Sequence, residues 1–322
     1  MLDESAFKSG NLCVVGNINR DIKTAPMPSG GFLLRDGETS VSSIIETIGG
    51  GGANSACAAA ALGARVAFLG KVGADPPGAV LQKTLKQHGV LAHLARDKSQ
   101  RTGTSINLTF ENGCRHFVSA LPNNRSLAFK DLNLSVLSRY HHLLRSDIWF
   151  SEAMLFGGNA KLFAAARKAG IAISLDLNWD PEWNRASANK IRERKQAVRA
   201  VLPMVNLAHG NVRELNEFAG SSDLKATLRR LAKWGAGAVV LHLGKKGAGY
   251  FHNDKLWIEP PAPVKSHVNA TGTGDVLSVC LMLLHHRADI AVPEKLRLAN
   301  TIVSQFIEGK RQFIPSHGSA PV

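Results

Sequence analysis

No stretch of this 322-residue chain is apolar for long enough to cross a membrane. A transmembrane helix needs about 20 predominantly apolar residues, and the longest candidate here, residues 276–284, falls well short of that length. The first ten residues mix charged and apolar side chains and contain no apolar core of the kind that a secretory signal requires. We therefore expect no membrane anchor and a cytoplasmic location.

Cysteine is scarce and scattered. Cys13, Cys57, Cys114 and Cys280 form no CxxC pair and have no histidine nearby at ligand spacing, which argues against the common zinc motifs. We expect three of the four to be buried thiols. The histidine pairs at 141–142 and 285–286 are also poor metal sites when each is taken alone, because adjacent residues on a helix or strand point in different directions.

Aromatic residues are few, at 6% of the chain, whereas 39 Lys and Arg stand against 25 Asp and Glu, for a formal net charge of +14. A basic surface supplies most non-specific affinity for nucleic acid. Here the basic residues are dispersed, and the densest groups, at 190–199 and 229–233, fall on the predicted solvent faces of helices. With too few aromatics for an obvious base-stacking platform, we expect no nucleic-acid partner, and we attribute the charge to the host or to anionic substrates.

The two common nucleotide-binding motifs are absent. No GxxxxGK[ST] P-loop occurs anywhere, and the glycine run at 49–52 fits no GxGxxG dinucleotide fingerprint. That run is followed by Asn54 and an alanine-rich segment to residue 62, which predicts glycines ahead of a tightly packed helix. Such glycines let a backbone approach a ligand closely, so we expect a polar small molecule to be bound by backbone groups and Asn54.

A second glycine-rich turn, at residues 268–275, directly precedes the apolar run. This order predicts a turn that opens a buried helix. The amides of Gly272, Thr273 and Gly274 would point, unpaired, at a place that favours an anion. Asp275 then has two interpretations. It either caps the helix, or it takes a proton from a hydroxyl group that attacks a phosphoryl group held by those amides.

Strand and helix patterns alternate along most of the chain, which predicts an α/β fold with a doubly wound, mostly parallel sheet and helices on both faces. Predicted strands lie at 11–15, 65–69, 148–151, 171–175, 205–208 and 238–243, and predicted helices at 75–88, 160–168, 188–201, 212–218 and 224–234. Ligands bind at the rim formed by the carboxyl ends of such strands. The polar residues expected along this rim are Asn19, Asp21, Glu152, Asp176, Asn178, Asn211, Glu214 and the loop 244–247.

A β-hairpin interrupts this pattern. Residues 102–110 and 114–120 alternate in hydrophobicity around Asn112-Gly113, which is the strongest short hairpin signal. An amphipathic hairpin in an α/β chain predicts a small sheet that stands off the main body, where it can cover a site and exclude water. We expect a β-sheet lid, inserted at about residues 22–47 and 100–122, on a single domain that spans residues 1–322.

These motifs resemble the two signatures of the ribokinase-like, or PfkB, family of carbohydrate kinases, in the right order and at the right separation. Residues 49–89 are similar to the N-terminal signature and residues 269–275 to the C-terminal one, and the resemblance runs from about residue 11 to residue 307. It implies transfer of the γ-phosphoryl group of ATP to a sugar hydroxyl. Asp275 would be the base, and Gly272, Thr273 and Gly274 the anion hole.

The resemblance also implies roles for other residues. The sugar would be surrounded by Asn19, Asp21, Gly50, Gly51, Asn54, Glu152 and Asn178. Asn211 and Glu214 match the NxxE motif near Mg²⁺ and the ATP phosphates, with Glu214 acting on the metal through water. The nucleotide would contact Gly244, Lys245 and Gly247, with Asn300 on the adenine side. The lid is often a dimer contact in relatives, which makes a homodimer a candidate.

Several positions depart from the family pattern. Asn269 stands where many relatives have Asp, and 309–311 stands where they have another glycine-containing turn; both bear on a monovalent-cation site, so potassium activation stays open. Asp180 replaces the Arg of a DxNxR stretch found in fructokinases and ketodeoxygluconate kinases, and an acidic residue there argues against a carboxylate or phosphate on the acceptor. Gly51 replaces a frequent larger residue, and His242 a common hydroxyl residue.

Three functions stay open at this point, and a phosphosugar kinase of the same family is a less favoured fourth. A kinase for an unphosphorylated sugar is favoured by Asp275 and by the neutral or acidic residues at the acceptor end. A nucleoside kinase of the same family is the nearest alternative, because a ribose hydroxyl offers similar chemistry and an apolar lid could accept a base. A non-catalytic sugar-binding regulatory protein would keep the pocket without turnover, and the presence of Asp275, Asn211 and Glu214 counts against it.

Overall fold

The structure, a computed structural model, describes residues 5–8, 10–31, 35–266 and 272–313. Its strands are β1 (Asn11–Val15), β2 (Asn19–Thr24), β3 (Ile44–Gly49), β4 (Arg65–Gly73), β5 (Val90–Asp97), β6 (Thr104–Thr109), β7 (Arg115–Ala120), β8 (His142–Arg145), β9 (Ala172–Asp176), β10 (Leu207–Asn211), β11 (Ala238–His242), β12 (Ala248–His252) and β13 (Lys255–Glu259). Its helices are α1 (Ser5–Lys8), α2 (Gly51–Ala61), α3 (Pro76–Gln87), α4 (Pro122–Arg125), α5 (Asn159–Lys168), α6 (Ala188–Val201), α7 (Val212–Ala219), α8 (Leu224–Lys233), α9 (Thr273–Leu283) and α10 (Val292–Ile307).

The large sheet has the strand order β13-β12-β11-β10-β9-β8-β1-β4-β5. The seven strands from β11 through β10, β9, β8, β1 and β4 to β5 pair in parallel. Strands β12 and β13 extend the β11 edge and pair antiparallel. The central strands are buried along nearly their whole length because helices cover both faces. This arrangement confirms the predicted α/β class with a mostly parallel sheet.

The two faces of the sheet carry separate apolar cores. One core joins the sheet to α2, α9 and α10, and the other joins it to α5, α6, α7 and α8. Local signals set the bounds of several helices. The Ser187 side chain accepts from the Lys190 amide at the start of α6, and α7 ends at Gly220, whose φ of 66° suits glycine.

The small sheet has the order β3-β2-β6-β7. Strands β2 and β3 pair antiparallel, as do β6 and β7, and β2 pairs with β6 in parallel. The β6–β7 connection carries Gly113 at a φ of 81°, so the Asn112-Gly113 hairpin is confirmed. Both insertions that were predicted to form the lid therefore contribute to one four-stranded sheet.

Some predicted elements are wrong in position, and others were missed. Residues 148–150 form a turn rather than a strand, because the strand is β8 and Asp147 after it adopts a φ of 55°. The strand predicted at 205–208 is displaced to Leu207–Asn211, and α2 begins at Gly51, within the glycine run rather than after it. The pattern did not predict β5, β12, β13 or α10. Asn269 and Thr271 lie outside the described residues.

Two simpler expectations concern burial and membrane crossing. Cys13, Cys57 and Cys280 are buried and Cys114 is exposed, which confirms three buried thiols. Within the described ranges, no helix combines the length and the apolar character that a membrane crossing demands.

Candidate active site

Two helices begin side by side at the carboxyl rim of the sheet. Helix α2 follows Gly50, at a φ of 94°, and α9 follows Gly272, at a φ of 87°. A Cβ on Gly50 would collide with the backbone carbonyl of Asn17, so only glycine fits there. Asn54 on α2 donates from Nδ2 to the Asp275 Oδ2 on α9 at 3.4 Å. The two glycine-rich signatures, far apart in sequence, thus form one site.

The carboxyl group of Asp275 lies in an environment that opposes its ionisation. Burial raises its pKa from the ordinary 3.8 to about 8; the neighbouring Asp147 and Glu214 carboxylates add to the effect, and the Asn54 hydrogen bond opposes it. Asp275 occupies the first turn of α9, but the hydrogen bond described for its carboxylate is the one from Asn54. The capping interpretation is therefore less well supported than the interpretation as a base.

Asp147 is a carboxylate at the centre of the site that sequence reasoning missed. Its Oδ2 accepts from the amides of Asn17 and Gly52, at 2.9 Å each, and its own amide donates to Asn178 Oδ1 at 2.9 Å. A Cβ on Gly51 would come within 2.9 Å of its Oδ1, which explains the absence of a larger residue at that position. The strand predicted at 148–151 ends directly before Glu152, whereas the observed strand β8 ends at Arg145, two residues before Asp147.

Glu152 lies away from this group. Its side chain is 60% exposed, and its Oε1 is 3.0 Å from Lys190 Nζ and 3.8 Å from Arg194 Nη1, both on α6. The contacts described for Glu152 are thus with α6 rather than with Asn54 or Asp275. Its predicted contact with a sugar stays a prediction, and Asp147 is the better candidate.

The acceptor side is polar and its hydrogen-bonding groups are not all used. On β2, Asn19 Nδ2 donates to Asp21 Oδ1 at 2.5 Å, and burial raises the pKa of Asp21 to about 6, against opposing effects of Lys23 and Asn19. Buried side-chain atoms with no partner in the structure include Asn54 Oδ1, Thr47 Oγ1, Asn107 Oδ1 and Asn124 Nδ2. Unsatisfied buried polar atoms are costly, so a ligand rich in hydroxyl groups fits this side.

The interpretation of Asp180 as an acidic residue facing the acceptor is wrong. Asp180 is fully buried, and its two carboxylate oxygens accept from Arg194 Nε at 2.7 Å and Arg194 Nη2 at 2.9 Å. The same guanidinium donates to the carbonyl of Trp149 at 2.5 Å. Because Arg194 neutralises the Asp180 carboxylate, this residue does not indicate whether the acceptor carries a charge.

Asn211 and Glu214 form a reciprocal capping box at the start of α7. Glu214 N donates to Asn211 Oδ1, and Asn211 N donates to Glu214 Oε2, at 2.9 Å each. The structural explanation of Asn211 is therefore confirmed, and any role toward a nucleotide is additional to it. Burial raises the pKa of Glu214, and burial together with Glu214 and Asp275 raises the pKa of Asp176 far above its usual range.

These carboxylates offer the hard oxygen donors that suit Mg²⁺. Within the described ranges, no three His, Cys, Asp or Glu side chains already converge on one metal position. Mg²⁺ keeps several waters and usually binds through one or two carboxylates and substrate phosphates. The donor set therefore fits the predicted metal contact of Glu214 through water.

The loop after β11 and residue Asn300 are both next to the segment that follows Glu259. Gly244, Lys245 and Lys246 form an exposed turn, and Gly247, at a φ of 92°, leaves no room for a Cβ beside the carbonyl of Glu259. Asn300 is buried on α10, and its Nδ2 donates to the carbonyls of Glu259 at 3.0 Å and Pro260 at 2.8 Å. Asn300 thus holds the segment that follows β13, and its adenine contact stays a prediction.

The raised pKa of Asp275 predicts a specific dependence of stability on pH. Because the folded-state pKa of about 8 exceeds the ordinary 3.8, the contribution of this group to stability is full below about pH 4 and is lost as pH rises through about 8. We expect Asp275→Asn to equal the wild type in free energy of unfolding near pH 4 and to exceed it progressively towards pH 8. Urea unfolding at several pH values measures this difference, and a pH-independent difference would contradict the raised pKa.

Comparison with known proteins agrees with this geometry. The family described as pfkB family carbohydrate kinase matches residues 9–291. A fructokinase of Vibrio alginolyticus is 27% identical over 246 residues, which are 76% of this chain and 77% of that protein. The fructokinase of Xylella fastidiosa with bound ATP superposes with a TM-score of 0.77 at 18% identity, over 95% of this chain and 93% of that one.

A third similar protein, an Escherichia coli protein assigned as ribokinase II, has been solved in complex with ATP and Mg²⁺. It superposes with a TM-score of 0.78 at 19% identity, over 94% of both chains. At these identities the two solved structures establish a shared fold, whereas the family match covers most of the sequence. The chain therefore belongs to the pfkB family of carbohydrate kinases.

Proposed function

We propose that this protein is an ATP-dependent kinase that phosphorylates a hydroxyl group of an unphosphorylated sugar in the cytoplasm. The observation that carries the proposal is the position of the Asp275 carboxylate, which lies on the first turn of α9 and 3.4 Å from Asn54 Nδ2. A proton acceptor, the first amides of α9 and a polar acceptor pocket then share one place. The similarity to fructokinases supports a sugar as the acceptor.

The residues of the chain divide the chemistry as follows. Asp275 accepts the proton of the acceptor hydroxyl as that oxygen attacks the phosphoryl group. The amides of Gly272, Thr273 and Gly274 at the start of α9 donate to the phosphoryl oxygens, where negative charge develops. Asp275 then carries the proton until the product leaves. The lid sheet covers the acceptor and keeps water from competing with the sugar hydroxyl.

Binding of the nucleotide and metal is assigned to the rim on the α7 side. Glu214 would hold Mg²⁺ through water, with Asn211 fixing its orientation through the capping box. Bound Mg²⁺ supplies charge neutralisation for the phosphates. The turn Gly244–Lys246 and Gly247 would contact the nucleotide, and Asn300 supports them from behind by holding the segment after Glu259.

Sugar recognition is assigned to Asn19, Asp21, Gly50, Gly51, Asn54, Asn178 and, in place of Glu152, Asp147. Asp21 and Asp147 are buried carboxylates whose pKa values are raised by burial. Sugar hydroxyl groups would donate to these oxygens and also satisfy the unpartnered atoms of Thr47 and Asn107. This set of hydrogen-bond acceptors favours a ligand with many hydroxyl groups, such as a sugar.

A panel of acceptors tests the proposal. A coupled spectrophotometric assay measures ATP turnover with each candidate acceptor. The acceptors are fructose, ribose, other free sugars, nucleosides and fructose 6-phosphate. We expect turnover with at least one free sugar, and a thermal shift with that sugar, since a ligand at 100 times its Kd stabilises by about 2.7 kcal/mol. Turnover with nucleosides alone would favour the nucleoside kinase, and sugar binding without turnover would favour a regulatory protein.

A homodimer through the lid is part of the proposal. The face of the lid that points away from Asp21 exposes Ile44 at 63%, Ile106 at 40% and Val118 at 55%, and Ile106 pairs in register with Val118. An exposed apolar patch of this kind is typical of an interface. We expect sedimentation to show a dimer that Ile106→Lys dissociates, and a wild-type monomer at high concentration would refute this element.

A further inference from the structure

His242, the last residue of β11, packs against the start of the helix that carries Asp275. Its Nε2 lies 3.0 Å from Ser278 Oγ on α9, one turn after Gly274. Its Nδ1 lies 3.1 Å, and its Cε1 3.4 Å, from the position that a Cβ on Gly274 would occupy. The imidazole is therefore hydrogen-bonded to the second turn of α9 through Ser278 and packs against the first turn at Gly274.

The ring acts as a neutral group at this position. Burial lowers the pKa of His242 to about 4, so the imidazole carries no charge at neutral pH. A neutral ring adds no full charge to a bound phosphoryl group. Its effect on the amides above it must therefore come from its volume and from its hydrogen bond to Ser278.

Further buried polar side chains lie on the neighbouring strands β8, β9 and β10. His209 is fully buried, and its Nε2 lies 3.2 Å from Ser174 Oγ, which lies 2.7 Å from His142 Nε2. His142 Nδ1 in turn lies 3.4 Å from His286 Nε2, just past the end of α9. These contacts link β8, β9 and β10 to the segment after α9, while His209 Nδ1 has no hydrogen-bond partner within the part of the chain that the structure describes.

We propose that His242 is a positioning residue for the phosphoryl site. Its ring lies against Gly274 and is hydrogen-bonded to Ser278, and it thereby fixes the position of the Gly274 amide relative to the carboxyl ends of the strands. This inference rests on the proposed kinase function, and it adds a residue that does not itself touch the substrate. A Cβ at residue 274 would lie 3.1 Å from His242 Nδ1, so a side chain there would require the ring to shift.

A double-mutant cycle on His242 and Gly274 tests the inference. We expect His242→Ala to lower kcat by about tenfold to 100-fold, as small displacements of reacting groups do, with little change in KM for the sugar. His242→Gln, which can keep a hydrogen bond to Ser278, should recover part of the loss. Gly274→Ala should be severely impaired alone and less impaired in the His242→Ala background, because the added methyl group then has space.

Controls separate positioning from general stability. Val240→Ala, at a buried position on the same strand, should lower stability while leaving kcat per folded molecule unchanged. Wild-type kcat in His242→Ala, or effects of His242→Ala and Gly274→Ala that simply multiply, would overturn the inference.

A binding measurement keeps the inference testable without turnover. The difference between the binding free energies of ATP and ADP, measured by calorimetry, gives the contribution of the γ-phosphate to affinity. We expect His242→Ala to weaken ATP binding more than ADP binding. Equal losses for both nucleotides would overturn the inference. Absence of turnover in the wild-type protein with every acceptor would instead count against the proposed function, so the two failures are distinct.

Discussion

Asp275→Asn is expected to lower kcat by about 10²- to 10⁴-fold, the usual contribution of a general acid or base, while the protein stays folded. The substitution keeps the size of the side chain and removes its ability to accept a proton. The Asn54 contact at 3.4 Å is a single weak interaction, and because the pKa of Asp275 is raised to about 8, the substitution should not lower the free energy of unfolding at neutral pH. Steady-state kinetics with the preferred sugar, together with thermal unfolding, measure both effects.

A matched substitution controls for the general effect of changing Asp to Asn. Asp254 is exposed and its carboxylate pairs with Arg229 far from the rim, so Asp254→Asn should keep wild-type kcat. Asp275→Asn with more than about a tenth of wild-type kcat would remove Asp275 from the role of base, since even a modest base contributes about 10²-fold.

Arg194→Met is expected to cost about 3–5 kcal/mol of stability, the range measured when one partner of a buried ion pair is removed. Arg194 is 2% exposed and Asp180 is fully buried, and the two are joined by two hydrogen bonds. Loss of the guanidinium leaves the Asp180 carboxylate buried without its counter-ion. It also removes a donor to the carbonyl of Trp149. Urea unfolding at neutral pH measures the change.

An exposed ion pair of the same type serves as the control. Arg229 also makes two hydrogen bonds to one carboxylate, that of Asp254, but the two side chains are 54% and 60% exposed. Arg229→Met should therefore change stability very little. A result in which Arg194→Met and Arg229→Met behave alike would show that the Asp180 pair does not hold the structure together.

Elements with strong local signals could be predicted from the sequence. Helix α6 has the predicted bounds, because Ser187 caps an amphipathic segment, and α7 follows from the Asn211-to-Glu214 spacing of a capping box. The hairpin followed from Asn112-Gly113. In each case, the interactions that set the element lie within a few residues of each other.

Features that depend on distant residues could not be predicted. Ile148 and Trp149 are buried in a turn. A buried turn is as apolar in sequence as a short buried strand, so the sequence pattern does not distinguish the two. The partner of Asp180 lies on another element, so its negative charge was misread as part of the pocket. The unpartnered atoms of Thr47 and Asn107 face inward only because of the register between lid strands.

The positions of the carboxylates illustrate the same limit in the site. A rule that places polar residues past strand ends identified Asn178, Asn211 and Glu214, which the structure places along the rim. It selected Glu152 instead of Asp147 because the end of β8 was placed too late in the chain. A strand boundary placed a few residues too late therefore led to the prediction of Glu152, which is 60% exposed, in place of the buried Asp147.

A structure of the protein with a non-hydrolysable ATP analogue, Mg²⁺ and the preferred sugar would test the central claim most directly. We predict one sugar hydroxyl within about 2.6–3.2 Å of the Asp275 carboxylate, the range for proton transfer, and the γ-phosphoryl oxygens against the amides at Gly272 to Gly274. A sugar bound with its hydroxyl groups out of reach of Asp275, and closest to another base, would contradict it.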